Sequence, residues 1–260
     1  MKNIKAKKSL GQNFLNNRTI LNAMVQAANI DKNDLILEIG PGTGNLTREI
    51  LKANAKVVSV EADKRMESIL RDQFKDDPNF TLIINDIRKY YLIFLKQKID
   101  KFKIVANIPY YLSSFLFRLF FENDPKPNTI VLMTQKELAA KIAKKEIANN
   151  KLRMYINLFF DTKYITTVKK QNFKPQPKVD SAIIALYSKN KKYTKSYISK
   201  FEKAINAGFR QPRKMLISNF KNYYQKDLEY LEIFSKLNID IKSRPEQLDF
   251  NTWIKLIDNI

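Results

Sequence analysis

The sequence lacks two residue types altogether, cysteine and histidine, and each absence excludes a kind of chemistry. Without cysteine the chain can form no disulfide, no thiolate nucleophile and no zinc–sulfur site. Without histidine it can form no Ser–His–Asp triad, no imidazole base and no histidine-ligated metal. Any chemistry must therefore use carboxylates, amides, phenols, backbone dipoles or a cofactor, and we expect no metal ion.

Long apolar runs are missing as well. The opening stretch MKNIKAKKSLGQNF has no apolar core of the kind that signal peptides carry. No uninterrupted apolar run reaches the ~18 residues that a membrane-spanning helix needs. We therefore expect a soluble, cytoplasmic protein with no membrane association.

Acidic residues are few relative to basic ones, with 26 Asp and Glu against 47 Lys and Arg and a net charge of +21. The excess is clustered, since residues 1–30 carry +5 and residues 151–200 carry +10. Lys outnumbers Arg 37 to 10, a bias that codon usage in an A+T-rich genome also produces. Clustered positive charge indicates a polyanionic partner, either nucleic acid or an anionic membrane surface, and we favour nucleic acid.

Short apolar runs alternate with helical patterns along most of the chain, which predicts an α/β fold: a parallel sheet with helices on both faces. The predicted strands are 35–39, 56–60, 80–84, 103–107 and 129–134, and the predicted helices span about 17–29, 45–54, 62–74, 88–97, 112–121, 135–148 and 151–160. Strands at 162–168 and 181–188 would suit an antiparallel pair at the end of the sheet. We therefore predict an α/β domain at 1–189, with a basic lead at 1–17, and a small all-α domain at 190–260.

The chain contains few glycines, and their positions are informative. The chain has 5 glycines, whereas average usage would give about 18. Three of them, Gly40, Gly42 and Gly44, lie in EIGPGTGN (38–45), between the first strand and the next helix. Glycine permits positive φ and a close backbone approach to a nucleotide-like ligand, although a tight turn without a ligand is the alternative. The dinucleotide fingerprint is GxGxxG, whereas this GxGxG loop resembles the first motif of S-adenosylmethionine (SAM)-dependent methyltransferases.

Acidic residues follow the next two strands. Glu61 ends the second strand, 21 residues after Gly40, where Rossmann-like folds place an acid that accepts hydrogen bonds from ribose hydroxyls. Asn85 and Asp86 follow the third strand, in a position to reach the amino group of an adenine. Either acid alone would also fit a solvated charge at a strand end. Together with the glycine loop, however, they indicate a cofactor site.

The fourth strand ends in Asn107-Ile108-Pro109-Tyr110, which fits the (N/D)PPY-like signature of methyltransferases that modify exocyclic amino groups of bases. Such an amine is a poor nucleophile because its lone pair is delocalised into the ring. The Asn107 side-chain oxygen and the carbonyl of Ile108 or Pro109 would each accept one N–H, which directs the lone pair at the methyl donor. Pro109 would stiffen the turn and Tyr110 would stack on the base. The alternative is a proline turn with a buried tyrosine.

Eight segments in the same order resemble the KsgA/Dim-type (RsmA) family of small-subunit rRNA adenine N6,N6-dimethyltransferases, over essentially the whole chain. They are KKSLGQNFL (7–15), EIGPGTGNLT (38–47), VEAD (60–63), ANIPYYLSS (106–114), LMTQKELAAKI (132–142), FKPQPKVDSAII (173–184), FRQPRKMLISNF (209–220) and SRPEQLDF (243–250). The resemblance implies a Rossmann-like class I SAM-dependent methyltransferase domain followed by a helical rRNA-binding domain. The chain departs from the family pattern at Tyr111, where many relatives carry Asn, and at Pro212, where the family usually has a basic residue.

The resemblance also implies roles for individual residues. Phe173 would stack on the target base from the side opposite Tyr110, although an ordinary core aromatic is the alternative for Phe173. The implied catalytic set is Asn107, Pro109, Tyr110 and Phe173. The residues that would contact SAM are Asn13, Leu15, Gly40, Gly42, Glu61, Asp86 and Asn107. Candidate phosphate contacts are the lysines between Lys2 and Lys8, Lys169, Lys170, Lys174, Lys178, Arg210, Arg213 and Lys214.

The implied reaction is the transfer of methyl groups to two adjacent adenines in a hairpin loop near the 3′ end of 16S rRNA, within an immature small subunit. We expect the protein to act as a monomer. Other hypotheses remain open: a resistance-type methyltransferase of large-subunit rRNA, a non-catalytic RNA-binding assembly factor, and a small-molecule methyltransferase. The segments FRQPRKMLISNF and SRPEQLDF favour the small subunit.

Overall fold

The computed structural model describes residues 6, 7, 10–97, 99–144, 146–224 and 228–260, so the predicted RNA contacts Lys2, Lys5 and Lys8 lie outside the described residues. The chain forms two compact units, Met1–Ala143 with Asp161–Ser188, and Lys144–Phe160 with Lys189–Ile260. The division after Ser188 lies next to the boundary expected at 189. The helical unit also includes Lys144–Phe160, which the sequence analysis assigned to the α/β domain. The helical pattern of Lys144–Phe160 resembles the helical patterns of the α/β unit. Only its tertiary contacts show that the segment belongs to the helical unit.

The strands and helices of the α/β unit alternate along the chain. The strands are β1 (Phe14–Leu15), β2 (Leu35–Ile39), β3 (Lys56–Glu61), β4 (Phe80–Ile84), β5 (Lys103–Asn107), β6 (Thr129–Gln135), β7 (Phe160–Val168), β8 (Phe173–Lys174) and β9 (Ser181–Ser188). The helices are α1 (Arg18–Ala28), α2 (Asn45–Leu51), α3 (Glu67–Phe74), α4 (Ile87–Leu95), α5 (Ser113–Glu122) and α6 (Lys136–Ala143).

Seven strands form one sheet in the order β4-β3-β2-β5-β6-β9-β7. The first five of these strands run parallel, and β9 pairs antiparallel with β6 from Thr129↔Tyr187 to Gln135↔Ser181. β2 lies between β3 and β5, so the strand order reverses there. In open α/β sheets, ligands bind outside the carboxyl ends of the strands at such a switch point.

The strand predictions agree closely with this sheet because each central strand is a run of buried apolar residues. β2, β4 and β5 have the expected bounds, and β3 and β6 are each one residue longer. The helix predicted to reach 148 ends at Ala143. The lead at 1–17 contains the short strand β1, which pairs antiparallel with β8 and joins segments that are far apart in the sequence.

The second unit contains α7 (Lys151–Phe159), α8 (Lys195–Gly208), α9 (Leu216–Tyr224), α10 (Leu228–Lys236) and α11 (Phe250–Asn259). Trp253 is fully buried at its centre and donates a hydrogen bond from Nε1 to the Pro245 carbonyl at 3.1 Å. No strand occurs among the described residues after Ser188, as expected for an all-α region. In the described part of the chain, no helix is both long and apolar enough to cross a membrane.

Candidate active site

A cleft that is partly open to solvent lies at the carboxyl ends of β2, β3, β4 and β5. The structure brings together every residue that the sequence analysis selected for the site. Lining the cleft are Asn13, Leu15, Gly40, Gly42, Glu61, Asp86, Asn107, Pro109, Tyr110 and Phe173. Their individual roles remain predictions.

The glycine loop between β2 and α2 has a backbone conformation that residues with side chains rarely adopt. Gly40 and Gly42 have φ of +69° and +57°, a region that favours glycine. A Cβ at Gly40 would meet no atom within 4 Å, whereas a Cβ at Gly42 would lie 3.1 Å from the Phe14 ring. The loop therefore leaves space at Gly40 and lets Phe14 pack closely on Gly42.

Glu61, the last residue of β3, faces this loop with a buried carboxylate. Its Oε2 accepts a hydrogen bond from the Gly42 N–H at 3.0 Å, and its Oε1 accepts one from the Asp63 N–H at 2.8 Å. Burial raises the pKa of Glu61, and the two backbone donors partly oppose that rise. An ionised carboxylate has about four acceptor positions, so each oxygen retains capacity for a ligand hydroxyl.

Asp63 anchors the segment that precedes β1. Gln12 donates from Nε2 to Asp63 Oδ2 at 2.9 Å, and the Lys7 N–H donates to Gln12 Oε1 at 2.8 Å. Arg65 also binds Asp63, and its hydrogen bonds are the main reason that the pKa of Asp63 falls to about 2. Asp63 is therefore ionised and fixes Gln12, which holds residues 10–13 over the cleft.

Asp86 caps the N-terminus of α4, because its Oδ1 accepts the Arg88 N–H at 2.9 Å. The Arg88 guanidinium pairs with the same carboxylate, with Nε 2.9 Å from Oδ2, and lowers the pKa of Asp86. The acid is thus ionised and fixed in place at the end of β4. Asn85 beside it also lines the cleft.

Asn107 ends β5 with its amide held in one orientation. Its Nδ2 donates to the Asn13 main-chain oxygen at 3.3 Å. We find no hydrogen bond to its Oδ1 from the part of the chain that the structure describes. The side chain therefore presents a free acceptor beside the glycine loop.

Two aromatic residues line the same cleft as Asn107. The Tyr110 hydroxyl lies 2.6 Å from the hydroxyl of Ser181, the first residue of β9, and burial raises the pKa of Tyr110. Phe173 in β8 is 3% exposed and lines the cleft through the pairing of β8 with β1. The structure thus brings both predicted stacking residues to one cleft from distant parts of the chain.

Three side chains that support the site were missed by the sequence analysis. Gln12 fixes the lead, Phe14 packs on the glycine loop and Ser181 holds the Tyr110 hydroxyl. Gln12 and Phe14 lie within KKSLGQNFL, and Ser181 lies within FKPQPKVDSAII. The family segments therefore contained these residues, but no local sequence pattern showed which residues they contact.

The candidate phosphate contacts that the structure describes lie mostly on exposed surface. Lys169 forms an ion pair with Asp180 at 3.5 Å, and Lys170 is half-buried. The exposed ones are Lys7, Lys169, Lys174, Lys178, Arg210, Arg213 and Lys214. Within the described ranges no group of three or more Asp or Glu residues forms a metal site, and the expected absence of a metal remains a prediction.

The sheet and its cleft define a class I SAM-dependent methyltransferase. Among solved structures, the 23S rRNA methyltransferase ErmE superposes with a TM-score of 0.80 at 23% identity, covering 95% of this chain and 99% of that one. A dimethyladenosine transferase from Plasmodium falciparum gives a TM-score of 0.77 at 28% identity, with 94% and 95% coverage. The predicted fold class, including the helical C-terminal region, is confirmed.

The chain belongs to the ribosomal RNA adenine dimethylase family, whose family model matches residues 3–260. Two similar curated relatives are both named ribosomal RNA small subunit methyltransferase A. The protein from Fusobacterium nucleatum is 36% identical over 260 residues, covering 97% of each chain. The protein from Mycoplasma mobile is 38% identical over 250 residues, covering 95% of each chain. The resemblance inferred from the sequence motifs is confirmed.

Proposed function

We propose that the protein transfers methyl groups from SAM to N6 of two adjacent adenosines in the 3′-terminal hairpin loop of 16S rRNA. The products are N6,N6-dimethyladenosines, and the reaction takes place during biogenesis of the small ribosomal subunit. The observation that carries the proposal is one cleft lined by the glycine loop, Tyr110, Phe173 and Asn107, whose Oδ1 accepts no hydrogen bond from the residues that the structure describes.

The residues of the cleft fit SAM. The space that a Cβ would enter at Gly40 suits a close approach of the cofactor to the loop. Glu61 retains acceptor capacity for ribose hydroxyls, and Asp86 is an ionised acceptor for the adenine amino group. Asn13 and Leu15 cover the same cleft from the lead. When bound, SAM supplies a methyl group already activated on a sulfonium.

Asn107 makes the adenine amine nucleophilic by accepting one of its N–H groups at Oδ1. The second acceptor is the carbonyl of Ile108 or Pro109, and the Ile108 carbonyl is favoured because the Pro109 carbonyl already accepts the Leu112 N–H at 3.0 Å. Two acceptors draw the nitrogen toward tetrahedral geometry and direct its lone pair at the methyl carbon. Positioning and hydrogen bonding then supply most of the rate enhancement, and no imidazole base is needed.

Tyr110 and Phe173 hold the target adenine between them after it leaves its stack in the loop. Extruding a loop nucleotide costs less than extruding a paired one. The hydrogen bond between Tyr110 and Ser181 fixes the tyrosine ring, and burial of Phe173 fixes the second ring. The developing positive charge on the methylated nitrogen is favoured by an aromatic face.

The family and the names of the relatives favour small-subunit rRNA over the large-subunit and small-molecule alternatives. The exposed basic side chains of the α/β unit and of the helical unit contact RNA phosphates without reading sequence. We further propose that the protein is a cytoplasmic monomer, requires no metal, and binds an immature small subunit.

The test is mass spectrometry of small-subunit rRNA after incubation with the protein and isotope-labelled SAM. The wild-type protein should add label to two adjacent adenosines. Asn107→Ala should lower the methylation rate at least about a hundredfold, because it removes an acceptor that orients the amine in the transition state. RNA binding by this variant should be largely retained.

The matched control is Asn33→Ala, which removes an exposed asparagine side chain far from the cleft in the α/β unit. It should methylate at the wild-type rate. RNA binding and SAM binding by the wild-type protein without any methyl transfer would favour the non-catalytic assembly factor instead. Unchanged turnover in Asn107→Ala would refute the amine-orienting role.

A further inference from the structure

An exposed aromatic ring lies at the cleft in a position that the proposed mechanism does not use. Tyr111 follows Tyr110 in the turn after β5, lines the cleft and is 57% exposed. Tyr110, in contrast, is half-buried and its hydroxyl is fixed by Ser181. Two consecutive tyrosines therefore present one ring inside the cleft and one at its surface.

Tyr111 does little to hold the fold together. We find no hydrogen bond and no ring–ring contact of Tyr111 with the residues that the structure describes. The ring packs beside Gly11, where a Cβ would lie 3.4 Å from Tyr111 Cδ1. A large aromatic side chain supported on one side and otherwise open to solvent is suited to stacking on a ligand.

The surroundings of Tyr111 suit a nucleotide. The Arg88 guanidinium lines the same cleft as Tyr111. Its ion pair with Asp86 keeps that positive charge at the cleft. An aromatic face beside a fixed cation is the combination with which proteins bind single-stranded nucleotides.

The reaction itself creates a need for such a ring. When the target adenosine is extruded, its neighbour in the loop loses a stacking partner. An aromatic side chain at the entrance can replace that partner without reading the base, because every base has a π face. Tyr111 is the next residue after the tyrosine that receives the target.

We propose that Tyr111 stacks on the nucleobase adjacent to the target adenosine and so binds the second nucleotide of the substrate. The inference rests on the proposed function, because it requires a substrate with two adjacent adenosines. It makes Tyr111 a substrate-binding residue rather than a variable surface position.

The experiment uses a loop hairpin in which one adenosine of the pair is replaced by 2-aminopurine, at each position in turn. This base cannot accept a methyl group at N6, and its fluorescence is quenched when it stacks. With the wild-type protein and SAM, the probe should stay quenched at the target position, where it stacks on Tyr110 and Phe173, and also at the neighbouring position, where it stacks on Tyr111. With Tyr111→Ala its fluorescence at the neighbouring position should rise, and the Kd for the hairpin should increase about tenfold.

Two controls separate stacking from a general loss of binding. Tyr111→Phe should behave like the wild-type protein, and Tyr223→Ala, which removes an exposed tyrosine of the helical unit, should leave the probe quenched. An abasic residue in place of the neighbour should also abolish the difference in Kd between wild type and Tyr111→Ala. The four Kd values form a double-mutant cycle that isolates the interaction between Tyr111 and the neighbouring base.

The outcomes for the inference and for the proposed function are distinguishable. If the wild-type protein methylates the unmodified hairpin, but probe fluorescence and Kd do not depend on Tyr111, the inference alone is wrong. If the difference in Kd persists with the abasic neighbour, Tyr111 acts elsewhere and the inference is also wrong. If the wild-type protein methylates neither the hairpin adenosines nor those of small-subunit rRNA, the proposed function and the inference are both overturned.

Discussion

Replacing Glu38 with glutamine should change how the stability of the protein depends on pH. Glu38 is 1% exposed and lies in β2, just before the glycine loop. Its Oε2 accepts hydrogen bonds from the Thr47 and Ser59 hydroxyls at 2.7 Å and 2.6 Å, while its Oε1 has no partner among the described residues. Burial raises the pKa of Glu38 from 4.5 to about 7, and the two hydroxyls only partly oppose that rise.

The magnitude follows from this shift. Between about pH 4.5 and pH 7 the folded protein keeps a proton on Glu38 that the unfolded chain has lost. The free energy of unfolding therefore falls as pH rises through this window. At about 1.4 kcal/mol per pKa unit the total loss from this group is about 3 kcal/mol. Glutamine does not titrate, so the variant should lack this loss.

The assay is urea unfolding of wild type and Glu38→Gln, without SAM, across this pH range. The unfolding free energy of Glu38→Gln minus that of wild type should increase by about 3 kcal/mol as pH rises from about 5 to about 8. Subtracting the wild-type curve of unfolding free energy against pH from the curve of the variant cancels the contributions of groups that titrate in both proteins. Glu122→Gln, at an exposed position of α5, is the matched control. A Glu38→Gln difference that is constant with pH would refute the reasoning.

Three further predictions concern the cofactor, the RNA and the helical unit. Glu61→Ala should raise the Kd for SAM at least about tenfold by removing hydrogen bonds to a charged acceptor, and an unaltered Kd in calorimetry would remove Glu61 from the ribose site. Affinity for RNA should fall about a thousandfold between about 50 mM and about 200 mM salt, and a flat titration would count against the basic residues as phosphate contacts. Gly208→Ala should destabilise the helical unit by about 1–3 kcal/mol, because a Cβ would overlap the Trp253 ring and lie 2.9 Å from Leu216 Cδ1. An unchanged midpoint of urea unfolding would contradict this prediction.

The parts of the fold that the sequence predicts are those set by local patterns. β2 and β5 are short runs of buried apolar residues, so their bounds follow from composition alone. The position of Glu61 follows in turn, because parallel strands place their carboxyl ends at one edge of the sheet. Gly40, Glu61, Asp86 and Asn107 were thus predictable from their positions at strand ends. In contrast, Asn13, Leu15 and Phe173 were expected only from the family resemblance.

The contacts that complete the site depend on long-range packing and leave no local pattern. Tyr110 meets Ser181 across 71 positions, and Gln12 meets Asp63 across 51. The pairing of β1 with β8 joins residues 14–15 to 173–174, although two-residue strands give no periodicity to detect. The segment Lys144–Phe160 belongs to the helical unit for the same kind of reason, since its contacts rather than its composition assign it.

These long-range contacts bear on the proposed mechanism, in which a chain without histidine activates an amine. If catalysis depends on where the Asn107 oxygen points, the groups that hold its amide are as important as the amide itself. The Asn107 Nδ2 is held by the Asn13 main-chain oxygen, and Asn13 follows Gln12, which is bound to the ionised Asp63. The lead that covers the proposed cofactor site therefore also contacts the proposed acceptor for the target amine. A lead that is displaced from the cleft would lose both functions together, which ties cofactor binding to readiness for methyl transfer.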